Sequence, residues 1–249
     1  MKLRTSFLAA TALTATLALT PAAAQAQVRD RTTVRDATID RVKARCLAAI
    51  DHRQQVIVEL NNVLDNRSNL TDAHHAALKQ IDDQTSSGLT ALANSIQGDT
   101  TGEQLRTDCH AIVDNYRVFL LVRPRARLVV AGDRELAAVD KLHDAATRIQ
   151  AAIDKAKANG KDTSKAEADL ATVKSETDTA SQHAGAIYNE VINLTPANYS
   201  PGVLTPGRTD ATAGHDAIRA AAQAAHAAVA DLHAATGSAA TTATTAARS

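Results

Sequence analysis

Apolar side chains recur at alternating intervals of three and four residues through most of this chain, which is the spacing of one face of an α-helix. The pattern is most regular from Ala166 to Leu194, where steps of four and three alternate without exception. Faces of this kind are buried by laying one helix against another, so the sequence predicts an all-α fold, an elongated antiparallel helix bundle. Six segments carry the pattern, and we expect helices over residues 31–66, 72–97, 102–123, 126–157, 164–194 and 211–235.

Polar and glycine-containing breaks separate the segments. Thr71 is a residue type that caps helix N-termini, and Gly160 stands where a C-terminal glycine would end the fourth segment. Residues 195–210 contain three of the five prolines, which predicts a linker or an ordered loop. Residues 237–249 have nothing apolar to bury, which predicts a disordered tail.

The densest apolar stretch reads NYRVFLLVRPRARLVVAG, from Asn115 to Gly132. Two strands around RPRA would form a β-hairpin, and the β-branched valines favour strands locally. A lone two-stranded ribbon is only marginally stable, however. The helical interpretation continues the apolar face of the third segment through Phe119 and begins that of the fourth at Leu128. Pro124 then lies where the apolar face changes direction.

Pro124 leaves two arrangements open, because an interior proline removes one backbone hydrogen bond and kinks a helix. Residues 102–157 form either one long bent helix or two helices joined by a sharp reversal. We favour the bent helix, since VRPRAR lacks the glycine, asparagine or aspartate of a tight reversal. The prediction is therefore two successive three-helix halves, residues 31–123 and 126–236, that share a helix kinked at Pro124.

The N-terminus has the features of an export signal. Lys2 and Arg4 precede an uncharged apolar run from Phe7 to Leu19, and the small residues at 24–26 suit cleavage near Ala26. The run is too short to span a bilayer, so we expect no transmembrane segment in the mature chain. The predicted division is a signal peptide at 1–26, an N-terminal half at 27–123, a helical hairpin at 124–194, the linker at 195–210, a last helix at 211–236 and the tail.

Two cysteines, Cys46 and Cys109, stand in a chain bound for an oxidising compartment, where disulfides persist. Cys46 precedes the end of the first helix by 20 residues, or about 30 Å at 1.5 Å per residue. A second helix that descends and a third that climbs back place Cys109 about 28 Å below the same end. The matching heights predict a disulfide. Zinc bound by both cysteines with His52 and His110 is the alternative, but no closely spaced pair fixes two ligands from one helix.

Composition and charge limit the partners. Lys plus Arg equals Asp plus Glu at 27 each, and the chain has no Trp, two Phe and three Tyr. Without net positive charge or interleaved aromatic residues, we expect no binding to nucleic acid. Arginines concentrate around the central stretch, where they either cover apolar surface and pair with acids or hold an anionic envelope polymer or lipid headgroup. These candidates for anion or partner contact are Arg117, Arg123, Arg125, Arg127 and Arg134.

Neither the histidines nor a search for known catalytic motifs points to a metal site or an active site. His215, His226 and His233 share one stripe of the last helix but lie about 16 and 10 Å apart along it, too far to share an ion. They form a solvated stripe or a pH-responsive contact. His74 and His75 are expected at the surface. The chain contains no His-Glu-x-x-His, Gly-x-Ser-x-Gly, phosphate-loop or dinucleotide motif, so we expect no metal site, no cofactor and no enzymatic activity.

Four segments carry a resemblance to a known group of proteins: LTDAHHAALKQI, LRTDCHAIVDNYR, YRVFLLVRPRARLVVAGDR and INLTPANYSPG. Over roughly residues 35–205, the chain resembles a family of uncharacterised secreted helical proteins from high-GC Gram-positive bacteria. The resemblance is one of helical pattern and includes no catalytic signature. It implies export, an all-helical fold and residence in the envelope or outside the cell, and it implies no substrate.

The sequence thus predicts an exported, non-enzymatic helical protein of the cell envelope that acts through its surface or its length on an envelope or extracellular partner. The alternative is a carrier of a small apolar ligand or lipid, held where Val118–Val122 and Leu128–Val130 gather. Neither the identity of the partner nor the oligomeric state follows from the sequence.

Overall fold

The structure, a computed structural model, describes the backbone of residues 21–246 and the side chains of residue 33 and residues 35–237. The predicted signal peptide lies largely outside the described residues, as do residues 247–249. The described residues contain no strand, so the all-α prediction is confirmed and the β-hairpin is wrong. The α-helices are α1 (Pro21–Asp65), α2 (Asp72–Gly98), α3 (Gly102–Asp114), α4 (Arg123–Ala158), α5 (Ser164–Val191) and α6 (Thr205–Ala246).

Local signals in the sequence set several helix ends. Thr71 caps α2, its hydroxyl accepting a hydrogen bond from the backbone N–H of His74 at 3.3 Å. Thr101 and Gln104 form a capping box at the start of α3. Gly160 has a φ of +67° just after α4, a conformation that glycine adopts without strain, and so it ends the helix as predicted.

Helices α1, α2 and α3 form the first half. Lys43 Nζ donates to the Gln97 carbonyl (3.0 Å), and Gln54 Nε2 donates to Thr90 Oγ1 (2.9 Å). A residue later in α1 thus contacts a residue earlier in α2. The two helices are therefore antiparallel. Their shared core also takes in α3, and its buried apolar residues include Ile50, Ile57, Leu89, Ile96, Leu105 and Ile112.

Helices α4, α5 and α6 form the second half. Lys157 pairs with Glu167 (2.8 Å) near the turn between α4 and α5, and Lys174 Nζ donates to Gln150 Oε1 (3.1 Å) further along. Helices α4 and α5 are therefore also antiparallel. Alanine supplies four of the nine buried residues of the core of this half, which are Ala146, Ile149, Ile153, Ala156, Ala166, Leu170, Val173, Ala228 and Leu232.

A third cluster of buried side chains joins the two halves. It combines the ends of α1 and α5 with the starts of α2 and α4, and every member is at most 3 % exposed. The densest apolar stretch of the sequence, from Asn115 to Gly132, supplies its centre. The cluster consists of Leu64, Leu78, Leu121, Ala126, Val129, Val191 and Leu204.

The helix shared between the halves is not continuous, and its interruption does not lie at Pro124. Helix α3 ends at Asp114, and Arg117 adopts a left-handed conformation with φ 43°. A π-helical turn at Val118–Val122 follows and runs directly into α4. Pro124 is the second residue of α4 and lies inside a continuous helical run that begins with the π-helical turn at Val118. The predicted kink at the proline is instead a break at Arg117, seven residues earlier in the chain.

Two further boundaries differ from the prediction. Helix α6 begins at Thr205 rather than near residue 211, because Pro206 fits its first turn and Gly207 allows close contact with Val191. The loop is thus shorter than predicted and contains a 3-10 turn at Pro196–Asn198. The α6 backbone stays helical to Ala246, which differs from the predicted disordered tail at 237–249.

Candidate functional site

The two cysteines lie on α1 and α3, as the bundle geometry requires. Cys46 and Cys109 form a disulfide with 5.7 Å between their Cα atoms, and both side chains pack against the core of the first half. Because a disulfide leaves no thiolate to bind an ion, it removes two ligands of the alternative zinc site. Among the described residues, no group of three or more histidine, cysteine, aspartate or glutamate side chains could hold a metal.

Two of the five predicted arginines support the fold. Arg125 is 4 % exposed and donates to the backbone carbonyls of Ile192 (3.3 Å) and Leu194 (2.7 Å), which follow the end of α5. A cation at these carbonyls offsets the negative end of the helix dipole. Burial lowers the pKa of Arg125, partly offset by the charge of Asp82. Arg125 is therefore closed to an external anion.

Arg117 is engaged by the loop that precedes α6. Its Nε donates to the Pro196 carbonyl (3.2 Å), and its guanidinium carbon lies 4.7 Å from the centroid of the Tyr199 ring. A guanidinium over an aromatic face is an attractive cation–π contact. These contacts fix the left-handed residue at the break between α3 and the π-helical turn, so Arg117 also has a structural role.

The remaining three arginines form one face of α4. Arg123, Arg127 and Arg134 are separated by four and seven residues, which places them on a single helical stripe. Arg67, in the turn between α1 and α2, lines the same depression. We call these four residues, Arg67, Arg123, Arg127 and Arg134, the arginine groove. None of them has an ion pair or a side-chain hydrogen bond to any described residue, in contrast to Arg117 and Arg125.

The arginine groove consists of two adjoining cavities with volumes of about 270 Å³ and 470 Å³. Arg67, Arg127 and Val130 line both cavities, so the two are continuous. Apolar side chains form much of the lining, including Leu60 and Ile218. The arrangement suits an anionic group with an apolar part, because guanidinium groups bind carboxylate and phosphate with paired hydrogen bonds.

Two carboxyl groups also line the groove. Glu59 lies in the smaller cavity and Glu135 in the larger. Burial raises the pKa of Glu135 to about 7, with His183 acting in the opposite direction, and its buried Oε2 has no hydrogen-bond partner within the described part of the chain. Glu135 is thus protonated in part of the molecules near neutral pH. The positive charge of the groove is opposed by less than two full negative charges.

The histidines divide between the surface and internal pairs. His215, His226 and His233 are exposed on α6, and each lines a cavity between α4 and α6. His74, which we expected at the surface, is half-buried. Its Nδ1 lies 2.7 Å from Oδ1 of the buried Asp133, and its ring stacks on Tyr188. Sequence reasoning missed this pair because Asp133 lies 59 residues away.

The residues predicted to gather around an apolar ligand are divided between the core and the surface. Val118, Leu121 and Val122 are at most 3 % exposed, and Val129 is 1 % exposed. Leu121 and Val129 pack in the cluster that joins the two halves. Phe119 and Leu120 are exposed, at 37 % and 45 %, and Val130 lines both cavities of the arginine groove, so only part of the predicted stretch is buried in the fold.

Comparison with models of known protein families, with curated proteins and with solved structures found no match to this chain. Within the described residues, no helix combines the length and apolarity that crossing a bilayer requires.

Proposed function

We propose that this chain is an exported, non-enzymatic helical protein that binds an anionic group of an envelope or extracellular partner through the arginine groove. The observation that carries the proposal is the contrast among the arginines of one short stretch. Arg117 and Arg125 are satisfied by the fold, whereas Arg123, Arg127 and Arg134 are free of ion pairs within the described residues and face one lined depression together with Arg67.

Export is supported by independent features. The positive start, the apolar run and the small residues near Ala26 suit a secretory signal, and the disulfide between Cys46 and Cys109 suits an oxidising compartment. The resemblance to secreted helical proteins of high-GC Gram-positive bacteria points to the same location. Two three-helix halves joined end to end also suit a spacer, for which small-angle scattering of the mature protein should give an extended shape.

The proposal is tested by recovering partners from the native envelope with the purified mature protein and a chemical cross-linker. A variant with Arg123→Gln, Arg127→Gln and Arg134→Gln removes three charges from the groove. The matched control, Arg35→Gln, Arg41→Gln and Arg45→Gln, removes three charges from an exposed part of α1. We expect the groove variant to lose the cross-linked partner and the control to retain it.

Equal recovery by both variants would contradict the proposal. The carrier function is decided by native mass spectrometry of the protein purified from its own host. A lipid bound in stoichiometric amount would favour the carrier over the interaction protein, while its absence together with charge-dependent cross-linking supports recognition of an anionic partner.

A further inference from the structure

A regular row of cations extends from the arginine groove along the whole of α4. Five basic residues occur at intervals of seven, and we call them the basic row: Arg127, Arg134, Lys141, Arg148 and Lys155. A seven-residue interval is nearly two helical turns, so all five lie on one side of α4 over about 42 Å. All five are exposed, and none forms an ion pair or a side-chain hydrogen bond with a described residue.

The basic row borders a groove between α4 and α6. Three cavities of about 470, 440 and 400 Å³ follow one another along this interface, and each is lined by two members of the row. Apolar side chains from both helices form the floor, among them Ile149 and Val229, and Val229 remains 41 % exposed. The acids that line the groove are Glu135 and Asp144, so cations predominate along its length.

We propose that this groove binds an amphipathic helix of a partner protein that carries acidic residues at seven-residue intervals. The inference rests on the proposed function and names the class of partner. A second helix repeats its side chains with the same period as α4, so acids seven residues apart can face all five cations in register. Its apolar side would cover the floor of the groove, including Val229.

Other anionic partners use less of this arrangement. A flexible polyanion needs positive charge but neither regular spacing nor an apolar floor. The surface of an anionic membrane is flat, so it would contact the exposed cations of the row but leave much of the apolar floor between the two helices uncovered. The charge and apolar lining together therefore favour a helix, with an acidic row that complements the basic row.

The test uses a synthetic helical peptide of about 30 residues, with five glutamates at seven-residue intervals beside an apolar seam. A second peptide has the same composition, but its glutamates are moved to the opposite side of the helix. Binding to the full mature protein is measured by fluorescence anisotropy. We expect saturable one-to-one binding of the first peptide and at least about tenfold weaker binding of the second, since its charges face away from the row.

Charge reversal tests the same contact in a second way, because an unfolded variant could not recover binding to a peptide with the opposite charges. Lys141→Glu with Arg148→Glu should weaken binding of the first peptide at least about tenfold, and a peptide with lysine at the two facing positions should restore it. Arg41→Glu with Arg45→Glu, on exposed α1, makes the same change in net charge and should leave binding unchanged. Circular dichroism confirms that both variants remain helical.

Several outcomes would overturn the inference. Equal binding of the two peptides, or no rescue by the charge-swapped peptide, excludes recognition in register. Polyphosphate that binds as tightly as the first peptide indicates a linear polyanion, and co-sedimentation with phosphatidylglycerol vesicles without peptide binding indicates a membrane. A dimer that dissociates on charge reversal indicates a second copy of this chain. If the peptides fail while cross-linking still depends on Arg123, Arg127 and Arg134, the proposed function stands and this inference alone is wrong.

Discussion

The guanidinium carbon of Arg117 lies 4.7 Å from the centroid of the Tyr199 ring, so the residue at which the first half ends is held by the loop that leads into the last helix. Arg117 is also the only residue other than glycine with a positive φ in the described part of the chain. The Arg117 side chain and the Tyr199 ring are 82 residues apart in sequence (199 − 117), and the connection between the halves depends on their contact.

Replacement of Arg117 separates backbone strain from side-chain contact. Arg117→Ala and Arg117→Gly both remove the cation–π contact and the bond to the Pro196 carbonyl. Only glycine adopts a φ of 43° without strain, so Arg117→Gly should be more stable than Arg117→Ala by about 1 kcal/mol. Urea unfolding measures the difference. Equal stabilities would show that the left-handed conformation is not retained in solution.

The disulfide should contribute a large part of the stability of the first half. It closes a loop of 63 residues, which the chain-entropy model equates with about 4 kcal/mol. Cys46→Ala with Cys109→Ala should lower the free energy of unfolding by about that amount, because the reduced unfolded chain regains its conformational freedom. Urea unfolding of the oxidised protein and the double variant gives the comparison. A non-reducing mass that shows two free thiols would contradict the pairing itself.

Asp82 should make the protein less stable as the pH rises. Its side chain is buried, and burial raises its pKa to about 7, partly opposed by the charge of Arg125. The folded protein then keeps a proton that the unfolded chain loses near pH 4. The contribution of this group to stability is therefore greatest below about pH 4, falls between about pH 4 and pH 7, and is constant above that range.

Asp82→Asn tests this pH dependence, because asparagine has no proton to lose. The variant should show a smaller decrease in unfolding free energy between pH 4 and pH 8, by an amount on the order of 3 kcal/mol. Glu135 has its pKa raised to about 7 as well, so Glu135→Gln should remove a separate part of the decrease. Asp51→Asn, on the exposed side of α1, is the control. An unchanged pH profile for Asp82→Asn would mean that solvent reaches this carboxyl.

Close contact between α4 and α5 depends on Gly132. A Cβ atom at this position would lie 3.1 Å from the Ala184 carbonyl oxygen and 3.4 Å from the Ile187 Cβ atom. Gly132→Val should therefore destabilise the protein by about 2 kcal/mol through overpacking. Gly185 is the matched control, because nothing lies within 4 Å of its added Cβ and it stands inside α5. Gly185→Ala should stabilise by up to about 1 kcal/mol, and thermal unfolding measures both changes.

The helices were predictable because their signals are local. The three-four spacing, Thr71 and Gly160 each act within one or two turns of helix, and the structure has the expected elements at those places. The break at Arg117 was not predictable in this way, since the contacts that hold it come from Pro196 and Tyr199. The proline pointed instead to residue 124, which lies inside the helical run that begins at Val118.

The candidate site was likewise predictable from the sequence only in part. The sequence indicated a concentration of arginines, but only the packing of α5 separates the internal Arg125 from its exposed neighbour Arg127. Arg67 was missed because it reaches the groove from another part of the chain. The basic row, in contrast, can be recognised from the sequence, because its residues recur at intervals of seven. A search for periodicity in charged residues as well as apolar ones would have found it.

Arg125 and Arg127 should respond differently to the same substitution. Arg125→Gln removes hydrogen bonds to Ile192 and Leu194 and leaves the buried Asp82 without its opposing charge, so the free energy of unfolding should fall by about 3 kcal/mol. Arg127→Gln should change it by less than about 0.5 kcal/mol, because an exposed arginine without a partner contributes little to stability. Urea unfolding of the two variants under identical conditions makes the comparison.

The result also decides which arginines can be used to study binding. If Arg125→Gln unfolds part of the protein, any binding lost in that variant reports on the fold, whereas binding lost in the stable Arg127→Gln variant reports on the groove. Equal destabilisation by both substitutions would mean that Arg127 has a structural partner in solution. The arginine groove would then lose one of the four free cations on which the proposed recognition of an anion depends.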